Sequence, residues 1–264
     1  MKLDTLCAGI GLPQEVFLRV NGFLSNCDRQ KLDPYIQAMT DRETAQQAYR
    51  DLHDLLGEAD MAMLACQLEA AVRTHSRYRG MGISDEIYIS TMKCFPRFLE
   101  ETRRMTGQYR YDRAWWSYRQ TSMALFRIGQ LEYEICRDRK VISLHIPSDA
   151  CFAPDAVEES VASAKAFLAK YYSGCAGYPI VCHSWLISPE LEKLLPEHSN
   201  IRSFQRRFQI LSVQPEEKDF FQWLFETSED TPLEKLPEDT SLRRKAKTLL
   251  LGGGNIGAAR GVMK

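Results

Sequence analysis

ISLHIPSDACFAPDAVEESVASAKAFLAKYYSGCAGYPIVCHSW, residues 142–185, decides how this chain folds. It opens on a short apolar run that closes with His145-Ile146-Pro147 and reads as a strand. A polar loop, Ser148 to Ala153, leads to Pro154, which suits a first helical position because its missing N–H would be unsatisfied there anyway. Asp155, Glu158 and Glu159 follow, where negative charge complements the positive end of a helix. Val157, Val161, Ala164, Phe167 and Leu168 then share one face, so the helix is amphipathic and lies on a sheet. Gly174 and Gly177 end it, and Ile180, Val181 and Cys182 return as a second apolar strand. Strand, helix, strand is the parallel crossover unit, whose right-handed connection sets the strand ends at His145 and His183 side by side.

Further strands and helices extend this unit. LFRIGQLEYEI, residues 125–135, reads as one β run with Gly129 as a bulge, and CRDR turns it into KVISLHIP as a hairpin. After His183, SPELEKLLP is a helix with Ser188 as cap, SNIRSFQRRF is another capped by Ser199 or Asn200, and QILSVQP is a strand. This succession predicts an α/β (α+β) sheet with flanking helices over residues 111–264. Residues 1–110 read as a helical N-terminal domain. The run from Asp41 to Arg79 is rich in good helix formers and interrupted by Gly57, and a further helical stretch has Ser84 as cap, Pro96 inside and Gly107 at its end.

The bulk composition removes several classes of function. A formal net charge of -1 gives no general attraction to nucleic acid or anionic membrane. No run approaches the ~20 apolar residues of a membrane span. The 8 cysteines are scattered singly without metal-ligand spacing, and an acidic residue and a proline interrupt the N-terminus where a leader needs an apolar run. These features point to a reducing, cytoplasmic setting with no metal. GGGNIG, residues 252–257, has the look of a nucleotide loop, but what precedes it is helical and too few residues follow for a βαβ unit. It reads as the end of a C-terminal helix followed by a short tail or edge strand.

Cys182-His183-Ser184 looks like catalytic machinery, yet neighbours on a strand point to opposite faces, so His183 cannot readily meet either flanking nucleophile. Its expected companions on its own face are Val181 and Trp185. The obvious partner is His145 at the end of the other strand: two imidazoles at corresponding strand ends could act as base, acid or donor to a carbonyl oxygen. Each could equally be a half-buried histidine satisfied by backbone carbonyls. Trp115, Trp116, Arg119 and Arg127 could stack on a nucleotide base or pair with phosphates, or belong to a core.

LFRIGQLEYEI, ISLHIPSD, ESVASAKAF, VCHSWLISPEL and SNIRSFQRRF together resemble the C-terminal domain of a family of bacterial acyltransferases. In that family a small helical domain precedes one similar to the GNAT superfamily of acyl-CoA-dependent N-acyltransferases. The resemblance implies transfer of an acyl group from acyl-CoA, as cosubstrate rather than a resident cofactor, to an amine. For that reaction His145 and His183, set together by the strand topology, are the catalytic candidates, and Ser184 is a further one as a nucleophile. The resemblance puts the CoA pyrophosphate on the loop that runs from Ser148, Asp149, Ala150 and Cys151 to Ala153 and on the following helix start; Arg127 is a candidate phosphate partner from the residues alone. Two features depart from the superfamily pattern. SDACFAPD lacks glycine and carries Asp149 and Asp155, and SPELEKLL offers no tyrosine to protonate the thiolate. A non-catalytic binding protein on the same scaffold and a hydrolase using Ser184 or Cys182 are the alternatives.

Overall fold

A computed structural model describes residues Met1–Lys264, which form two compact units, Met1–Ile128 and Gly129–Lys264. The first unit is helical: α1 (Leu3–Ile10), α2 (Gln14–Asn26), α3 (Arg29–Ala38), α4 (Ala45–Leu56), α5 (Asp60–Gly80), α6 (Asp85–Met92), α7 (Cys94–Thr106) and α8 (Ala114–Thr121), then strand β1 (Leu125–Ile128). Gly57 separates α4 from α5, and Ser84 caps α6 by accepting from Ile87 N. The break in the Pro96 segment falls at Lys93, leaving Pro96 in the first turn of α7, where it costs no helical hydrogen bond.

α5 is the axis of this unit, with α2, α3 and α8 packed on it. Its small Ala62, Ala65, Ala70 and Ala71 are buried, and neighbours can approach closely there. Polar anchors fix the packing: Tyr88 donates its hydroxyl proton to Ala71 O at 2.8 Å, and Gln67 Nε2 donates to Ala114 O at 2.8 Å. That second bond ties α8 to α5. The aromatic segment RAWWSYRQ, expected in the second domain from residue 111, is therefore part of the helical unit, and the division falls after Ile128.

The second unit contains β2 (Leu131–Cys136), β3 (Val141–His145), α9 (Pro154–Tyr171), β4 (Ile180–Ser184), α10 (Pro189–Leu194), α11 (Asn200–Gln205), β5 (Phe208–Gln214), α12 (Ser241–Leu251) and β6 (Ala258–Met263). Its strands lie in the order β2-β3-β4-β6-β5. β2 and β3 form the expected hairpin, and β3 and β4 run parallel through the α9 crossover. α9 opens at Pro154 and buries Val157, Val161, Ala164, Phe167 and Leu168. At about 1.5–3 kcal/mol for each fully buried large side chain, that stripe fixes the helix on the sheet. It lies on the face that carries Tyr133, whose hydroxyl is 3.0 Å from Ser160 Oγ.

Three expectations are corrected here. LFRIGQLEYEI is two strands, because Gly129 sits at φ +61 and with Gln130 makes a tight turn rather than a bulge. A Cβ on Gly129 would also stand 2.9 Å from Ser160 Cβ, so glycine lets this turn seat against α9. The C-terminal segment is no edge strand: β6 is paired antiparallel to β4 on one side and β5 on the other. Gly257, at φ +64 with Gln214 O only 2.7 Å from where a Cβ would be, lets the chain enter between them. Trp185 does not extend β4; it starts a 3-10 turn, Trp185–Ile187, and is buried in an apolar cluster with Leu191, Phe220, Phe225 and Ile256.

Candidate active site

Pairing between β3 and β4 runs from Ile142 with Ile180 to Leu144 with Cys182. Beyond that point each strand keeps its other neighbour: β3 remains paired to β2 through His145, and β4 to β6 through Ser184. Pairing between the parallel strands thus ends just before His145 and His183, while both residues stay paired to their outer neighbours.

The face opposite α9 changes character along the strands. Cys136, Val141 and Val181 form a small apolar cluster with Val262 packed on it. One pleat further on, the register sets Glu132 opposite His145 and His183 opposite Arg260. Since His145 and His183 each stand one residue past the last paired position, the four side chains form one transverse row where the strands separate.

Each imidazole has a carboxylate. His145 Nε2 lies 2.9 Å from Glu134 Oε2, and the pair is largely withdrawn from solvent. His183 Nε2 lies 3.2 Å from Glu217 Oε2, with His183 about half exposed at 49%. Glu134 reaches His145 because alternation along β2 puts it on the same face, diagonal to the histidine. Glu217 comes from the segment after β5. A carboxylate on one ring nitrogen fixes tautomer and ring orientation, which a general base requires.

Ser184 and Cys182 belong to the other face, as alternation requires. Ser184 Oγ accepts from Leu186 N at 3.1 Å and caps the 3-10 turn. Cys182 is buried, and desolvation pushes its thiol up to about 12, so no thiolate is present near neutral pH. Neither is held against an imidazole, and the chemistry of a nucleophilic hydrolase is not assembled here.

The loop after β3 leads straight to the start of α9. Ala150 N donates to Pro147 O at 3.0 Å, Ser148, Asp149 and Cys151 are exposed, and Cys151 N donates to Gln130 Oε1 at 3.0 Å. The N-cap position of α9 is Ala153, which has no side chain to cap the helix. Arg207 is anchored over this helix start: Nη2 donates to Pro154 O at 3.2 Å and the guanidinium pairs with Glu158, holding that carboxyl below its ordinary range. A cation the loop sequence lacks is therefore delivered from the start of β5. Arg127 lies on β1 in the helical unit, where its backbone N–H donates to Thr91 Oγ1 at 3.1 Å.

Sequence reasoning missed Glu134, Glu217, Arg207 and Arg260. The Glu-Tyr-Glu alternation of β2 was a signal for Glu134, since it puts an acid on the face of His145. Glu217 and Arg207 carried none, because tertiary folding alone brings them to His183 and Pro154.

Residues 124–263 match the family model of the GNAT-like C-terminal domain, and residues 1–123 that of the N-acyltransferase N-terminal domain. No curated protein sequence matches the chain. Among solved structures, the chain is similar to an acyltransferase in complex with decanoyl-CoA and teicoplanin, at 21% identity and a TM-score of 0.82 over 99% of this chain and 87% of that one. It is also similar to an acyltransferase in complex with CoA and 10C-teicoplanin, at 19% identity and a TM-score of 0.71 over 100% and 99% of the two chains. At these identities the likeness is one of fold.

Proposed function

This chain belongs to the family defined by the GNAT-like C-terminal domain, and we propose that it is an acyl-CoA-dependent N-acyltransferase. The observation that carries the reading is the parting of β3 and β4 just where two carboxylate-held histidines stand. The gap admits the pantetheine arm of acyl-CoA, and its pyrophosphate rests on the uncapped start of α9, the Ser148–Cys151 loop and Arg207. Of the similar solved acyltransferases, one holds decanoyl-CoA and a mutant holds octanoyl-CoA, which favours a medium-chain acyl group.

His183, oriented by Glu217, takes the proton from the attacking amine as its nitrogen bonds to the thioester carbonyl carbon. A backbone N–H beyond the last paired residues of β3 and β4 stabilises the oxygen that gains charge. The C–S bond then breaks, and His145, oriented by Glu134, gives a proton to the departing thiolate; His183 releases its proton to solvent and His145 takes one up, which restores both rings. An amide and CoA–SH are the products, with no covalent enzyme intermediate. Ser184 keeps its capping role and takes no part.

CoA release from octanoyl-CoA, followed with a thiol reagent in the presence of a panel of primary amines, tests this. Wild-type protein is expected to release CoA only with an amine present, and His183→Ala to lose about 10²–10⁴-fold of that rate. No amine-dependent release, with no calorimetric binding of octanoyl-CoA at millimolar concentration, would refute it.

A further inference from the structure

The row that holds the two histidines continues into β6 with Arg260, which stands directly opposite His183 across the antiparallel pair. Side chains so opposed start roughly 5 Å apart at their Cβ atoms, close enough for one small molecule to touch both. Both imidazoles have carboxylate partners, but no carboxylate of the chain lies within ion-pair distance of Arg260, and its side chain is exposed. Its neighbour on the far side is Ser212 of β5, a neutral residue whose hydroxyl accepts from Gln214 Nε2 at 2.9 Å. An uncompensated guanidinium therefore flanks the base.

That guanidinium is badly placed to serve the CoA phosphates. α9 and its N-terminus lie on the face carrying Tyr133, whereas Arg260 is on the opposite face, one strand beyond β4 from β3. The anion it meets has to arrive with the acceptor. A guanidinium fork matches a carboxylate in a bidentate pair, and as the cross-strand neighbour of His183 it can hold that carboxylate beside the nitrogen to be deprotonated.

We propose that Arg260 holds the carboxylate of the acceptor, so that the amine acylated is an α- or β-amino acid or a similar amine with a carboxylate beside its nitrogen. This rests on the reading of His183 as the base. Arg260 acts as a specificity-determining residue and leaves the proton transfer to His183.

Calorimetry on the full chain with two product analogues, N-octanoylglycine and N-methyloctanamide, tests it. Wild-type protein is expected to bind N-octanoylglycine about 10–100-fold more tightly, the range for a charge-assisted hydrogen-bonded pair. Arg260→Met should abolish that difference while octanoyl-CoA binds as before. The proposal is overturned if wild-type protein does not discriminate, if Arg260→Met still does, or if the substitution weakens octanoyl-CoA binding instead. Failure of the transferase reading shows differently, as no CoA release by wild-type protein with any amine, and takes this assignment with it.

Discussion

Replacing Gly129 by alanine tests the junction on which the site is built. Gly129 sits at φ +61, a region where a Cβ costs roughly 1–2 kcal/mol. The added methyl would lie 2.9 Å from Ser160 Cβ, 3.1 Å from Ser160 Cα and 3.2 Å from its Oγ, and two of those atoms cannot swing away. Overpacking of that kind costs about 1–3 kcal/mol, so the total is about 2–5 kcal/mol. With urea m-values of about 1–3 kcal/mol/M, the midpoint should fall by about 1 M or more. Gly174→Ala is the control: nothing lies within 4 Å of its Cβ position, and a change of less than about 0.5 kcal/mol is expected. Because Ser160 is on α9, whose start is the proposed phosphate cradle, Gly129→Ala should also weaken octanoyl-CoA binding. Equal urea midpoints for Gly129→Ala and wild type would refute the close approach of turn and helix.

Two further outcomes follow from the way the nucleophile-like residues are held. Ser184→Ala should cost about 1 kcal/mol by removing the cap at Leu186 N and leave the rate of CoA release unchanged; a collapse of that rate at unaltered stability would put Ser184 back in the chemistry. In native protein treated with iodoacetamide at pH 8, peptide mapping should find Cys151 modified and Cys182 untouched, since Cys151 is exposed and the buried Cys182 thiol, pushed up to about 12, stays protonated well above that pH. Octanoyl-CoA should slow labelling at Cys151, and labelling indifferent to octanoyl-CoA would move the phosphates away from that loop.

The parallel β3–α9–β4 unit was legible because each boundary carries its own chemistry: Pro154 at the helix start, a stripe from Val157 to Leu168, and apolar runs short enough to be strands. The juxtaposition of His145 and His183 followed from that topology. Other features were hidden because they depend on backbone torsion and long-range pairing rather than composition. Gly129 looks the same in sequence whether it bulges or turns, and only its positive φ decides. β6 looked like a tail because AARGVM is a weak strand sequence; its place between β4 and β5 comes from two ladders, not from propensity. Glu217, like Arg207, is one exposed-looking charge among many in the sequence, and its role appears only where the chain folds back over His183.

The account is tested most directly by a crystal structure of the protein with octanoyl-CoA. The pantetheine arm is expected to pass between β3 and β4 beyond Leu144 and Cys182, with the thioester carbonyl beside His183 and the pyrophosphate against residues 148–156 and Arg207. A ligand bound on any other surface, or strands that hold their pairing closed past His145 and His183 in its presence, would contradict it.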